Sequence, residues 1–370
     1  MKKILVLLLL LSPCLSLAEN SPVKPKGSGS AEDPYLIDRI ENLVWFRENS
    51  SECADKHFKM TADIDASETR GWNGARGFLP LGHFNGTFDG GGHYISNLYI
   101  ATSSEPAALF TFLGKKTPFP FPFTTNSYEE TLESVKIDTC VKDLAILNCM
   151  FSSDKTACGL AKTISLSKIT DVLITGTLQS KLKEGGLALN CSNSFIEGCA
   201  FDITHRNNYC IAGGIFLKAD NVYIKNCLLL GDFEFVGESP EIERSKPNQH
   251  ALVKSFGGKP KPKKPAKDYD IVCVSKGEFR LENCLMLTKL FSSKKDRNVH
   301  YFPNEKSINS FYSTDNVKKN WHSGEKTGLY NERLLKKETY KSWDFDSVWE
   351  IEDGKSFPKL RKLEKMMKRE

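Results

Sequence analysis

Carboxylates are the residues of this chain whose spacing could do chemistry. Asp63 and Asp65 flank Ile64, and alternation along a strand places both on one face. Two carboxylates at a suitable separation are what glycoside hydrolysis needs for its acid and base, and an acidic cluster holding calcium beside a basic proton acceptor would serve lyase chemistry. Asp171 and Asp220 occupy comparable places near the starts of apolar runs, so stacked repeats could bring them together across coils. Each has a plainer reading, since Asp is a common turn former. His57, His83, His93, His205, His250, His300 and His322 are scattered without metal-ligand spacing. Gly90-Gly91-Gly92-His93 superficially resembles a phosphate loop and reads as a β turn. GxSxG, P-loop, dinucleotide and HExxH patterns are absent from the sequence. No catalytic, cofactor-binding or metal-ligating residue is assigned, and no cofactor is expected.

The elements that would have to position such groups show in a recurring grammar: an aliphatic residue, any residue, Asn or Gly, then a small or apolar one. It occurs at Ile95-Ser96-Asn97-Leu98, Ile146-Leu147-Asn148-Cys149, Ile174-Thr175-Gly176-Thr177, Ile196-Glu197-Gly198-Cys199, Ile224-Lys225-Asn226-Cys227 and Leu281-Glu282-Asn283-Cys284. The final positions are separated by 51, 28, 22, 28 and 57 residues, and doubling the two long steps gives a period of about 27. A period in the twenties marks a stacked solenoid, in which no repeat buries its apolar face alone. Period-2 spacing then places Ile146, Ile174, Ile196, Ile224 and Leu281 in one buried column. Asn suits the left-handed backbone of a sharp corner and can bond its counterpart in the next coil.

A second element, small residues followed by aliphatics, recurs at Ala107-Ala108-Leu109-Phe110, Cys158-Gly159-Leu160-Ala161, Gly185-Gly186-Leu187-Ala188, Gly213-Gly214-Ile215-Phe216 and Ala251-Leu252-Val253. It fits a tight corner opening another strand. Cys149, Cys199, Cys227 and Cys284 follow the Asn/Gly site and should form a second inward column of free thiols, which behave as small hydrophobes. Cys53, Cys140, Cys158, Cys191, Cys210 and Cys273 lie in other registers and are the candidates for disulfides.

Lys2 and Lys3, the apolar run Ile4 to Leu11 and Ser16-Leu17-Ala18 compose a secretory signal peptide over residues 1–18. Its removal leaves ten of the eleven cysteines and lowers the net charge from +5 to +3, ordinary for a soluble protein, and no nucleic-acid partner is expected. Residues 19–30 form a flexible linker, 31–94 an N-terminal cap and first coil, and 95–300 the repeats. Proline-rich stretches at 117–123 and 237–267 interrupt those repeats and read as projecting loops. Residues 301–361 form a C-terminal cap carrying Trp343, Phe345, Val348, Trp349, Phe357 and Leu360, and 362–370 a basic, dispensable tail.

The run PYLIDRIENLVWFRE, then FKMTADIDAS, then LPLGHFNGTFDGGGHYISNLYI, together with the IxNC and GGL/GGI elements and the ending WDFDSVWEIEDGKSFPKLR, resembles bacterial secreted right-handed β-helix proteins with GLUG-type repeats. The resemblance covers roughly residues 31–361. It implies a parallel β-helix on adhesin-like exported proteins, or on non-catalytic regions of some immunoglobulin-directed metallopeptidases. Degenerate repeats, extra cysteines and the two insertions depart from that pattern. The expectation is an all-β, right-handed parallel β-helix with a short N-terminal helix and a C-terminal capping segment. Its expected role is non-catalytic: surface adhesion, binding of extracellular glycans or surface proteins, or envelope structure. The alternative is a polysaccharide lyase or hydrolase on the same scaffold. An extracytoplasmic, monomeric protein without a transmembrane helix completes the reading.

Overall fold

Aliphatic residues two apart, in runs too short for helices, are best buried by stacking one run on the next through parallel main-chain bonds. The computed structural model describes residues 21–104, 106–115, 137–207, 211–235, 268–270, 279–291, 298–300, 307–316 and 328–367. Over these residues the chain is a parallel β-helix. The proline-rich stretches at 117–123 and 237–267, and Ala251 to Val253, lie outside the described residues. One large sheet winds around most of each coil, and a second of five strands closes the remaining side, from Thr156–Cys158 through Lys183–Gly185, Ile211–Gly213 and Asp268–Asp270 to Asn298–His300. The six aliphatics of the repeat grammar are all buried.

They form two columns, not one. Val141, Ile169, Ile196, Ile224 and Leu281 pair in succession. Ile95, Ile146, Ile174, Phe201, Leu229 and Met286 form the other. The 22-residue interval therefore joins positions at two different corners, which is why it falls short. The doubling of the long intervals is also overturned, because Ile95 pairs directly with Ile146 and Ile224 directly with Leu281. Each long interval is a single coil with extra residues, and between insertions the rungs recur every 26 to 28 residues.

From Val141 onward the corner after the first column is left-handed in each described coil: Asp143, Asp171, Gly198, Asn226, Asn283 and Asn309 have φ between 48° and 64°. Non-glycine residues avoid this region unless, like Asn and Asp, they bond locally. The side-chain ladder expected there stands at another corner, where Asn221 Nδ2 donates to Asn193 Oδ1 at 3.1 Å. The small-residue element does open strands, since Ala161–Ser165, Ala188–Glu197 and Phe216–Lys225 begin just after it. A Cβ on Gly186 would lie 1.7 Å from the carbonyl oxygen of Gly214, so only glycine permits that approach.

The helix Ile40–Glu48 sits at one end of the stack. Its Phe46 stacks on Phe58 at 4.3 Å and meets Phe84 edge-on at 5.3 Å, closing the lumen with aromatic surface. At the other end the chain makes two short helical turns, Asn331–Leu334 and Lys337–Tyr340. Trp343 then donates from Nε1 to the Asn309 carbonyl of the last coil at 2.8 Å.

From there the C-terminal segment does not stay at the end. Trp349, Leu360, Leu363 and Met366 join a cluster with Ala145, Leu173, Ala200, Leu228 and Leu285, the outward neighbours of the second buried column. The helix Arg361–Met367 reaches back to the strands Thr87–Ser96 and Ser167–Ser180. Lys362 there bonds Asp171 at 2.7 Å and pairs with Asp143. The expectation of a dispensable tail from residue 362 is thus corrected: Leu363 and Met366 are buried, each worth about 1.5–3 kcal/mol.

Removing residues 362–370 should lower the melting temperature of the whole protein and expose the segment after Tyr340 to limited proteolysis. An unchanged melting curve would show the flank packing to be inert. Inside the lumen, Ile224→Ala should cost about 2–5 kcal/mol in denaturant unfolding. Lys218→Ala, exposed on the same strand, should change stability by no more than about 0.5 kcal/mol.

Candidate functional site

The first pair of candidate carboxylates straddles Ile64, whose side chain is buried, so Asp63 and Asp65 both face outward as their alternation implied. Both are in structural use. Asp63 Oδ1 meets His93 Nδ1 at 2.8 Å and accepts the Tyr94 amide at 3.2 Å. Asp65 accepts the Asn97 amide group at 2.9 Å and both the amide and hydroxyl of Ser67 at 3.0 Å. The Asn97 bond, then those of Ser67, hold the Asp65 carboxyl below its usual range. The sequence missed His93 as the partner of Asp63, because the residues between them close a full coil.

Gly90-Gly91-Gly92 is not a turn between strands. It is an irregularity within the strand Thr87–Ser96, where register with the next coil shifts between Asp89 and His93. A Cβ on Gly90 would stand 2.2 Å from the Asp143 carbonyl oxygen. The motif lets two coils close up, and Asp89 is held by Lys142 at 3.2 Å and the Gly91 amide at 2.8 Å.

Asp171 and Asp220 do not approach one another across coils. Asp171 occupies the left-handed corner column, while Asp220 pairs in register with Ser192 on another face. The near neighbour of Asp171 is Asp143, one coil away, with Lys362 serving both. Burial lowers the Lys362 pKa, but bonds to Asp143 and Asp171 outweigh it and leave the ammonium raised. Another carboxylate pair lies elsewhere: the Asp202 carboxyl is pushed up by partial desolvation and by Asp232.

The most chemically suggestive contact lies inside the lumen. His205 Nδ1 meets Glu184 Oε2 at 3.1 Å, with side chains 2% and 0% exposed. The Ser180 amide donates to Glu184 Oε1 at 2.6 Å, and the His205 ring stacks on Phe233 at 4.4 Å. A carboxylate orienting an imidazole is the hardware of a general base, yet no substrate reaches a pair sealed this far from solvent. Sequence reasoning could have found it from register, since His205 interrupts the column Phe151, Leu178, Phe233 and Glu184 the column Ala157, Ala212. Other histidines serve singly: His83 Nε2 lies 2.6 Å from the Gly114 carbonyl. His250 and His322 fall outside the described residues, and His300 lies in the strand Asn298–His300.

Cys199, Cys227 and Cys284 stack one coil apart, as the residues that follow them pair in register. Cys149 does not join them, pairing instead with Gly176 at the next corner. All are free thiols, as are Cys53, Cys140, Cys158 and Cys191, so no bridge forms among the described cysteines. Cys210 and Cys273 lie outside the described residues. Burial pushes the Cys149 and Cys53 thiols up to about 12, which keeps them protonated and unreactive.

No family model matches the chain. Over 170 residues, 44% of its length, it is 30% identical to halomucin of Haloquadratum walsbyi, and it spans 2% of that protein. A solved structure described as "a putative immunoglobulin A1 protease from Bacteroides ovatus" is similar with a TM-score of 0.58 and 15% identity, covering 91% of this chain and 94% of that one. What the two share is the fold. A second structure, titled IgA1 protease, has a TM-score of 0.43 at 14% identity, over 75% of this chain and 21% of that one. Among the described residues no helix is long and apolar enough to cross a membrane.

Removing one partner of a buried hydrogen bond leaves the other unsatisfied at a cost of about 1–3 kcal/mol, whereas an apolar replacement of both can be nearly neutral. Glu184→Ala alone should therefore destabilise the protein strongly in denaturant unfolding. Adding His205→Leu, which matches each residue to its register neighbours, should recover most of the loss. Failure of the second change to recover stability would show that Ser180 and the backbone, not the imidazole, depend on Glu184.

Proposed function

We propose that this chain is an exported, non-catalytic β-solenoid of the GLUG-type repeat kind, serving surface adhesion by binding extracellular glycans or surface proteins, or contributing to envelope structure. The observation that carries the reading is the use to which its candidate carboxylates are put. Asp63 holds His93, Asp65 ties Asn97 and Ser67, and Asp171 anchors Lys362. An acid or base must be reachable and uncommitted to attack a substrate, and these groups join coil to coil. The signal peptide over residues 1–18 supports export, and the partial likeness to halomucin is in keeping with an extracytoplasmic place. A monomer is expected, because helix Ile40–Glu48 closes one end of the stack and the aromatic C-terminal segment covers its apolar flank.

One observation favours the alternative of a carbohydrate-active enzyme. Asp202, raised by partial desolvation and by Asp232, has the character of an acid beside a second carboxylate. The two readings separate in one experiment. Residues 19–370 are applied to a glycan array, and each bound glycan is then incubated with the protein and analysed by mass spectrometry. Binding without cleavage is the expected result. Cleavage that disappears in Asp202→Asn would establish the enzyme instead.

A further inference from the structure

Among the described residues left-handed backbone falls at single residues or, at Gly91-Gly92, at a glycine pair, with one longer run. Asn73, Gly74 and Ala75 are consecutive and have φ of 51°, 64° and 64°. A left-handed run with a Cβ at two of its three positions persists only where surrounding bonds over-determine it. Here Asn73 Nδ2 donates to the Gly77 carbonyl at 2.8 Å, Arg76 Nε to the Asn73 carbonyl at 3.1 Å, and the Gly77 amide to the Trp72 carbonyl at 3.0 Å. The turn places the half-buried Trp72 in the lining of a cavity of about 60 Å³. The helix Ile40–Glu48 contributes Arg47 and Glu48 to the same lining.

We propose that this cleft is a carbohydrate subsite that takes the end of a β-linked pyranoside chain with equatorial hydroxyls. The inference rests on the reading of the protein as a binding module and gives that module a ligand class and a place. A pyranose with equatorial hydroxyls carries axial C–H groups on both faces, so each face is apolar and flat while its rim is polar. Trp72, backed by Phe78 at 6.3 Å between centroids, supplies a rigid aromatic surface for such a face. The rim needs donors and acceptors in one plane. Arg47 Nη2 donates to Glu48 Oε1 at 3.2 Å, and a guanidinium has five N–H donors, so others are left for sugar oxygens. Glu48 is half-exposed and retains acceptor capacity, and Asn73, with Nδ2 committed to Gly77, keeps its Oδ1 as an acceptor. The cavity exceeds the ~10–15 Å³ that admits one water, so it takes a hydroxymethyl or acetamido substituent while the ring lies on the indole. Few convergent polar groups around an aromatic wall is the usual make-up of a small-ligand site.

The full chain is titrated with cellotriose and, separately, with triacetylchitotriose by calorimetry. Binding of at least one is expected, weakened by about tenfold or more in Trp72→Ala and by less than about threefold in Trp72→Phe, which keeps the aromatic face. Glu48→Gln, at a half-exposed position that should not disturb folding, is expected to weaken binding by about fivefold through loss of a charged acceptor. Equal affinity in Trp72→Ala and Glu48→Gln would overturn the site and leave the binding function standing. Absence of binding by both trisaccharides, with a glycan of another class captured on the array, would overturn the ligand class and the site alone. Silence on the array as well would remove the binding function with them.

Discussion

At the corner that follows each strand of the first buried column, the chain must turn through left-handed backbone while the coil above and the coil below do the same. From Val141 onward each described rung meets this demand with Asp, Asn or Gly: Asp143, Asp171, Gly198, Asn226, Asn283 and Asn309. Because the corner fixes where the next strand starts, it also fixes which residues point inward. Leu144, Val172, Cys199, Cys227 and Cys284 all come one residue after it, and all are buried. A slip of one residue would turn every side chain of that strand to the opposite face. The corner thus sets the register from which the core, the thiol stack and the outer flank all follow.

The next strand is apolar on both of its faces. Ile146, Ile174, Phe201, Leu229 and Met286 line the lumen, while Ala145, Leu173, Ala200, Leu228 and Leu285 point away from it. A strand buried on both sides reads as a continuous apolar run, as in Leu228-Leu229-Leu230. Something must cover the outer row, and the C-terminal segment does so. Its aromatic residues pack on one another, Trp343 against Trp349 at 4.3 Å and against Tyr340 at 4.6 Å. It is therefore a lateral brace as much as an end cap, tying coils that are otherwise joined only to their nearest neighbours.

Much of this architecture was legible in the sequence because the relevant signals are local. Ile224 two residues before Asn226, or Gly185-Gly186 before Leu187, declares a strand and a corner without reference to any other coil. What was not legible depends on phase. Ile174 and Ile196 look alike in sequence, yet they belong to different columns because the chain reaches two similar corners in one coil. The pairs Asp63 with His93 and Glu184 with His205 are 30 and 21 residues apart, distances that become contacts only once the phase of each coil is known. Glu184 and His205 carry a further lesson. In a lumen of stacked columns, a polar residue is recognised by its register neighbours, Ala157 and Ala212 for the one, Leu178 and Phe233 for the other.

The left-handed column also explains where the C-terminal segment lands. Trp343 donates to the main chain of Asn309, Trp349 Nε1 to the side chain of Asn226 at 3.4 Å, and Lys362 reaches Asp171 and Asp143. All four are corner residues of successive or near-successive coils, met in reverse order as the segment runs back along the stack. Asn would satisfy the backbone at positions 143 and 171 as well as Asp does, so the turn alone does not call for charge there. Two like charges stacked one coil apart repel, and a single ammonium between them converts that repulsion into a docking point. Neutral Asn on the late coils and Asp on the early ones give the brace a direction: its apolar part belongs beside the former and its cationic helix beside the latter. The residues that shape each coil are then the same residues that tell the C-terminal segment where along the stack it should lie.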